Sequence, residues 1–145
     1  MSRKVPKDAV TVLAAMHPED GATPAHETAW VSARDFDQYV GIVLAGALGT
    51  SGTLTAQIEE ANDDQGDGAT PVENKVAAAL TDASSDDDKQ VVIHVRADEL
   101  SADATHIRLR VLIGTAASLV GGVLLGLSPR YTPTTEATTV HEVVS

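Results

Sequence analysis

The sequence predicts a mainly β protein, an antiparallel β-sandwich or barrel of jelly-roll-like kind with extended N- and C-terminal arms. Three observations carry this. Residues 105–131, THIRLRVLIGTAASLVGGVLLGLSPRY, hold the densest apolar run, and Ile107, Leu109, Val111 and Ile113 alternate there with His106, Arg108 and Arg110. That period of two belongs to a strand with one face in a core and one in water. The same alternation recurs at Leu54-Ala56-Ile58 and at Val91-Ile93-Val95. Finally, five or six such segments are separated by Gly- and Asp-rich loops without a long amphipathic helix between them, which is the pattern of an all-β domain.

In chain order, residues 1–29 carry Pro6, Pro18 and Pro24 among scattered charges and read as an extended arm, with one short helical turn over residues 8–16. Trp30 opens the domain, residues 30–131. Val40, Ile42 and Leu44 alternate with Tyr39, Gly41 and Val43 in a first long strand that ends at the small-residue loop 46–52. Asp35 or Asp37 is placed to close the preceding turn. TLTAQIE follows as its hairpin partner, and NDDQGDGATP is a solvated loop. VAAAL, residues 76–80, leans toward helix because of its alanines. After the loop TDASSDDDKQ, the strand at Val91 stops at a turn, residues 97–100, that feeds the strand at residue 105. Residues 121–129 form the next strand, in the same sheet, between Gly121-Gly122 and Pro129; Val123, Leu124 and Leu125 make it apolar on both faces, as in a strand covered by another subunit. The tail, residues 132–145, is rich in Thr and Val and is suited to an edge strand or to reaching a neighbour.

Composition narrows the function. The chain has 145 residues, 43% of them hydrophobic, which is one ordinary domain. Its aromatic side chains are Trp30, Phe36, Tyr39 and Tyr131 alone, so the core must be aliphatic and thin, a reason to expect a homo-oligomer, dimer or trimer. The formal charge of −11 is concentrated between Glu59 and Asp103, where thirteen acids face Lys75, Lys89 and Arg96. Such a surface repels nucleic-acid phosphates and anionic lipid, so neither nucleic acid nor membrane is an expected partner. Without cysteine there is no disulfide framework and no thiolate metal site. The N-terminus lacks a continuous apolar signal region. Residues 111–127 are uncharged over the minimum length of a membrane span, and a membrane-anchored protein is one alternative; the alternation running into Val111 and Ile113 favours a strand.

No motif carries chemistry. Asp63, Gln65, Asp67 and Gly68 resemble the start of a calcium loop, but Asn74 falls where the bidentate Glu belongs. Asp86, Asp87 and Asp88 are consecutive and splay apart, as a solvated run. The five histidines lack zinc spacing; His94 and His106, on adjacent predicted strands, are expected as cross-strand neighbours without a third ligand. There is no serine elbow and no phosphate-binding glycine loop before a helix. No enzyme, cofactor or metal is expected.

Several stretches together resemble a family of small virion structural proteins of tailed bacteriophages. They are Ala29-Trp30, an aspartate and an aromatic before a strand ending in AGALGTSGTLTAQIEEA, the strand VVIHVRADEL, and the close LLGLSPRYTP. The resemblance runs from about Trp30 to Pro133 and leaves the N-terminal arm outside it. It implies a capsid decoration or cement protein at the virion surface that binds the major capsid protein. A tail or head-completion component is the alternative of the same class, and a secreted or periplasmic binding module one of another class. Contact with the partner is expected from the arms and the domain ends: Arg3, Lys4, Lys7, Trp30, Arg130, Tyr131, Val140 and Val143. Deleting either arm is expected to leave the fold unchanged.

Overall fold

The computed structural model describes residues 9–144. The alternating segments become strands of two antiparallel sheets, a β-sandwich, in accord with the predicted class. Ten strands are present among the described residues: β1 (Val10–Gly21), β2 (Ala25–Glu27), β3 (Val31–Ser32), β4 (Phe36–Ala45), β5 (Thr53–Ala61), β6 (Thr70–Val76), β7 (Leu80–Thr81), β8 (Gln90–Arg96), β9 (His106–Gly114) and β10 (Ser118–Pro129). Sheet A has the order β1-β10-β4-β8 and sheet B the order β2-β9-β5-β6, with β3 added to β9 and β7 to β5.

The pairings β1 with β10, β2 with β9, β4 with β8 and β5 with β6 are all antiparallel. They describe one long hairpin whose successive rungs fall alternately in sheet A and sheet B, which is the winding of a jelly roll. The core lies between the sheets. Tyr39, Val43, Ile58, Val95, Ile107, Leu109, Val111 and Leu124 are almost wholly excluded from solvent. The phase of the alternation is as predicted in β9, where Ile107, Leu109, Val111 and Ile113 point inward. In β4 the inward set is Tyr39, Gly41 and Val43, and a Cβ at Gly41 would lie 2.9 Å from Leu109 Cδ1, so this glycine lets the sheets approach. The Tyr39 hydroxyl accepts the Phe36 N–H (3.2 Å) and donates to the Ser32 carbonyl (3.4 Å). Burial pushes its pKa up to about 12.

This winding overturns several local expectations. Residues 10–29 are not an arm and contain no helical turn: β1 is an edge strand of sheet A along β10, and β2 an edge of sheet B. Pro18 interrupts the strand pattern of β1 without ending the strand. It sits where the β1–β10 register shifts, between Met16 and Glu19, and an edge strand with a bulge tolerates the missing N–H. β9 and β10 do not share a sheet, and β4 and β5 are not a hairpin; loop 46–52 carries the chain from one sheet to the other. For the same reason His94, on β8, and His106, on β9, are in different sheets. Residues 76–80 form no helix: Val76 ends β6, the Ala77 N–H donates to the Ala56 carbonyl (2.9 Å), and Leu80 begins β7. The candidate membrane span 111–127 is two strands and a turn, and no helix among the described residues is long and apolar enough to cross a membrane.

The tail has no strand among its described residues, yet it is tied to the sheet. The Val12 N–H donates to the Glu136 carboxylate (2.6 Å), the Ala137 N–H to the Val12 carbonyl (2.8 Å), and the Thr11 hydroxyl to the Thr134 hydroxyl (2.8 Å). These bonds satisfy part of the open edge of β1, so the tail covers a sheet edge that would otherwise offer free N–H and C=O groups.

Candidate functional site

The two outward sheet faces differ in chemistry, and the difference follows from register. On sheet B, Glu59 lies opposite Arg108, Gln57 opposite Arg110, and Arg110 opposite Glu27. Glu59 is buried and receives Arg108 at 2.7 Å (Nη2) and 2.8 Å (Nε), Arg110 Nη1 at 3.3 Å and Gln57 Nε2 at 3.0 Å. Glu27 closes the network at 3.1 Å from Arg108 and 3.1 Å from Arg110, the latter off the N–H axis of Nε. Trp30 covers it, with the Arg108 guanidinium 4.4 Å from the ring centroid. Gly66, at φ +87°, brings the loop 62–69 against the indole, where a Cβ would lie 2.8 Å from Nε1. Two cations and two anions in this arrangement neutralise one another.

Sheet A presents the opposite surface. Residues directly opposite in an antiparallel pair share a face. Val40, Ile42 and Leu44 of β4 therefore stand beside Leu125, Val123 and Gly121 of β10, and Ile42 beside Val92 of β8. Ala15 and Val12 of β1 continue the row beyond Val123 and Leu125. Leu44 is 54% exposed, Val92 52% and Leu119 47%. Among the described residues, charged and imidazole groups come in at the margins, as His94 and Arg96 on β8 and as His17 and Glu19 beyond the bulge of β1. Near that bulge the face dips into a groove of about 590 Å³ whose walls include Met16, Pro18, Leu44, Leu119 and Val123.

The acidic loops are more than solvated runs. Asp87 accepts the Leu48 N–H (2.8 Å) and Asp82 the Ser51 N–H (2.9 Å), which staples loop 82–88 to loop 46–52, and Asp86 accepts the Thr81 N–H (3.0 Å) within its own turn. The Lys89 ammonium and this amide hold the Asp86 carboxyl below the usual range. Asp63 accepts the N–H groups of Asp67 and Gln65, each at 2.9 Å, and these lower its pKa. The oxygens of the supposed calcium loop thus serve its own backbone, and no group of three or more metal-binding side chains exists among the described residues. In the turn before β4, the Asp35 and Asp37 expectation fails: Ser32 Oγ accepts the Arg34 N–H (3.3 Å), and Asp37 pairs with Arg130 (2.9 Å).

The structure does not assemble the expected contact residues into one patch. Trp30 belongs to the sheet B network, and Arg130 is held by Asp37 and by the Arg34 carbonyl (3.1 Å). Tyr131, 72% exposed, follows β10, while Val140 and the exposed Val143 lie in the tail. Arg3, Lys4 and Lys7 fall outside the described residues. The apolar row Val40-Ile42-Leu44 is visible in the sequence as the half of β4 not needed for the core, but only the strand order sets it beside Val92 and Val123.

No family model and no curated protein matches the chain. Among solved structures it is similar to the C-terminal family 22 carbohydrate-binding module of Clostridium thermocellum, at 12% identity over 83% of this chain and 87% of that one, with a TM-score of 0.42. It is also similar to a chain of infectious bursal disease virus, Gt strain, at 15% identity over 83% of this chain and 33% of that one, with a TM-score of 0.42. A chain of naturally occurring empty cowpea mosaic virus particles gives 8% identity over 99% of both chains and a TM-score of 0.43. Likenesses this low carry no functional argument.

Proposed function

We propose that this protein is a non-enzymatic structural protein of a virion, a decoration protein that binds the major capsid protein of a tailed bacteriophage and stabilises the shell. Jelly rolls serve as capsid proteins and as lectins alike, so the fold does not choose the role and the surface has to. The observation that supports this reading is the outward face of sheet A, apolar across β1, β10 and β4 and at Val92 of β8, with Leu44, Val92 and Leu119 each about half exposed. A contiguous apolar face of that kind is a protein-contact surface rather than a solvated one. Binding across neighbouring subunits stabilises a shell by mass action without any reacting group. The test is to incubate the purified protein with tailed-phage shells stripped of their decoration protein and to count the copies retained after washing. A fixed number per capsid subunit and a higher melting temperature of the shell are expected. Retention no greater than that of an unrelated acidic protein overturns the proposal.

A further inference from the structure

We infer that the outward face of sheet A is covered by a second copy of this chain, giving a two-fold dimer in which the two sheets lie face to face. The inference rests on the same face as the shell reading and concerns the free protein: a shell subunit would take the second copy's place there, and sedimentation without shells tests the dimer apart from the shell.

The size of the face fits. Four strands at about 4.8 Å spacing and ten residues at about 3.4 Å rise make a footprint of roughly 650 Å². Two such faces remove roughly 1,300 Å² from water, within the range of about 1,200–2,000 Å² typical of specific, stable interfaces.

Charge singles out this face as the one where two copies can meet. Each chain carries a formal −11, and two copies repel wherever their acidic loops meet. The sheet A face keeps carboxylates out of its centre: Val40, Ile42, Val92, Val123 and Leu125 occupy it, and the acids of its own strands, Glu19, Asp20 and Asp37, lie toward the strand ends. Shape agrees as well. β-Branched side chains on a twisted sheet interdigitate with an equivalent sheet at a spacing of about 10 Å, as in any sandwich. A two-fold operation makes one patch complementary to itself, with Ile42 and Val123, on the two central strands, close to the axis.

The chain has no cysteine, so single cysteines report on this geometry without background. Ile42→Cys, under mild oxidation, should give a disulfide-linked dimer on a non-reducing gel. Thr55→Cys, on the outward face of sheet B, should not. Sedimentation of the unmodified chain, without shells, should show a dimer at about 10 µM. The double variant Leu44→Lys and Val92→Lys changes only exposed positions and should sediment as a monomer with an unchanged circular dichroism spectrum. Its dissociation constant should rise by roughly 100-fold or more, because a dry interface strips the hydration of unpaired ammonium groups. A wild-type monomer up to about 100 µM overturns the inference. So does a dimer that survives both lysines, or linkage of Ile42→Cys no faster than that of Thr55→Cys.

Discussion

Replacing Glu59 by Ala should be among the most destabilising changes outside the apolar core. The carboxylate is 3% exposed and accepts two hydrogen bonds from Arg108, one from Arg110 and one from Gln57. Its removal strands two guanidinium groups whose side chains are only 15% and 28% exposed. Breaking a buried ion pair from one side costs about 3–5 kcal/mol. Glu27, 3.1 Å from both arginines but 40% exposed, offsets part of that, so about 3 kcal/mol is expected. At roughly 2–4 °C per kcal/mol for a domain of this size, the midpoint should fall by about 6–12 °C. Thermal and urea unfolding followed by circular dichroism would read it, together with Arg108→Ala and the double variant. The double variant should lose at least about 1 kcal/mol less than the two single losses added together, since each partner is a liability once the other is gone. A drop in midpoint below about 2 °C, or strict additivity, would refute the reasoning about this network.

Leu109→Asp should abolish folding, because Leu109 is fully buried and an unpaired carboxylate there costs on the order of the whole stability of a domain; a native-like spectrum would contradict the facing of β9. Removing residues 132–145 should lower stability by about 2–3 kcal/mol, through loss of the bonds that Glu136, Ala137 and Thr134 make with β1, and urea midpoints of the truncated chain measure it. Stability should also fall at both ends of the pH scale. Asp63, Asp86 and Glu99 have lowered pKa values, so their contribution is present above the ordinary values of 3.8 and 4.5 and is lost as pH drops below them. Tyr39 is raised, so its contribution is full below 10 and is lost as pH rises from 10 toward about 12. Melting curves from pH 2 to 12 test both limbs, and Asp86→Asn should flatten the acid one.

Fold class was legible because a strand's side-chain period is local. Ile107, Leu109, Val111 and Ile113 had to face one way whatever they met, and so did Leu54, Ala56 and Ile58. The cost of burying charge likewise placed Arg108 and Arg110 outward before any partner was known. Pairing was not legible. In a jelly roll the hydrogen-bonded neighbours are distant in sequence, Val10 with Leu127 and Glu27 with Arg110, and no local pattern encodes which strand closes on which. That is why neighbouring segments look like hairpins in the sequence, and why β1, broken by Pro18 and paired with a strand about a hundred residues away, looks like an arm. The same long-range closure made the two surfaces. Glu59 is a buried ligand of two arginines rather than one more acid in an acidic stretch because β5 lies along β9, and Ile42, Val92 and Val123 form one apolar face because β10 and β8 flank β4. Side-chain periodicity is written residue by residue, whereas register between distant strands is set by the free energy of closing the whole sandwich, which no segment holds by itself.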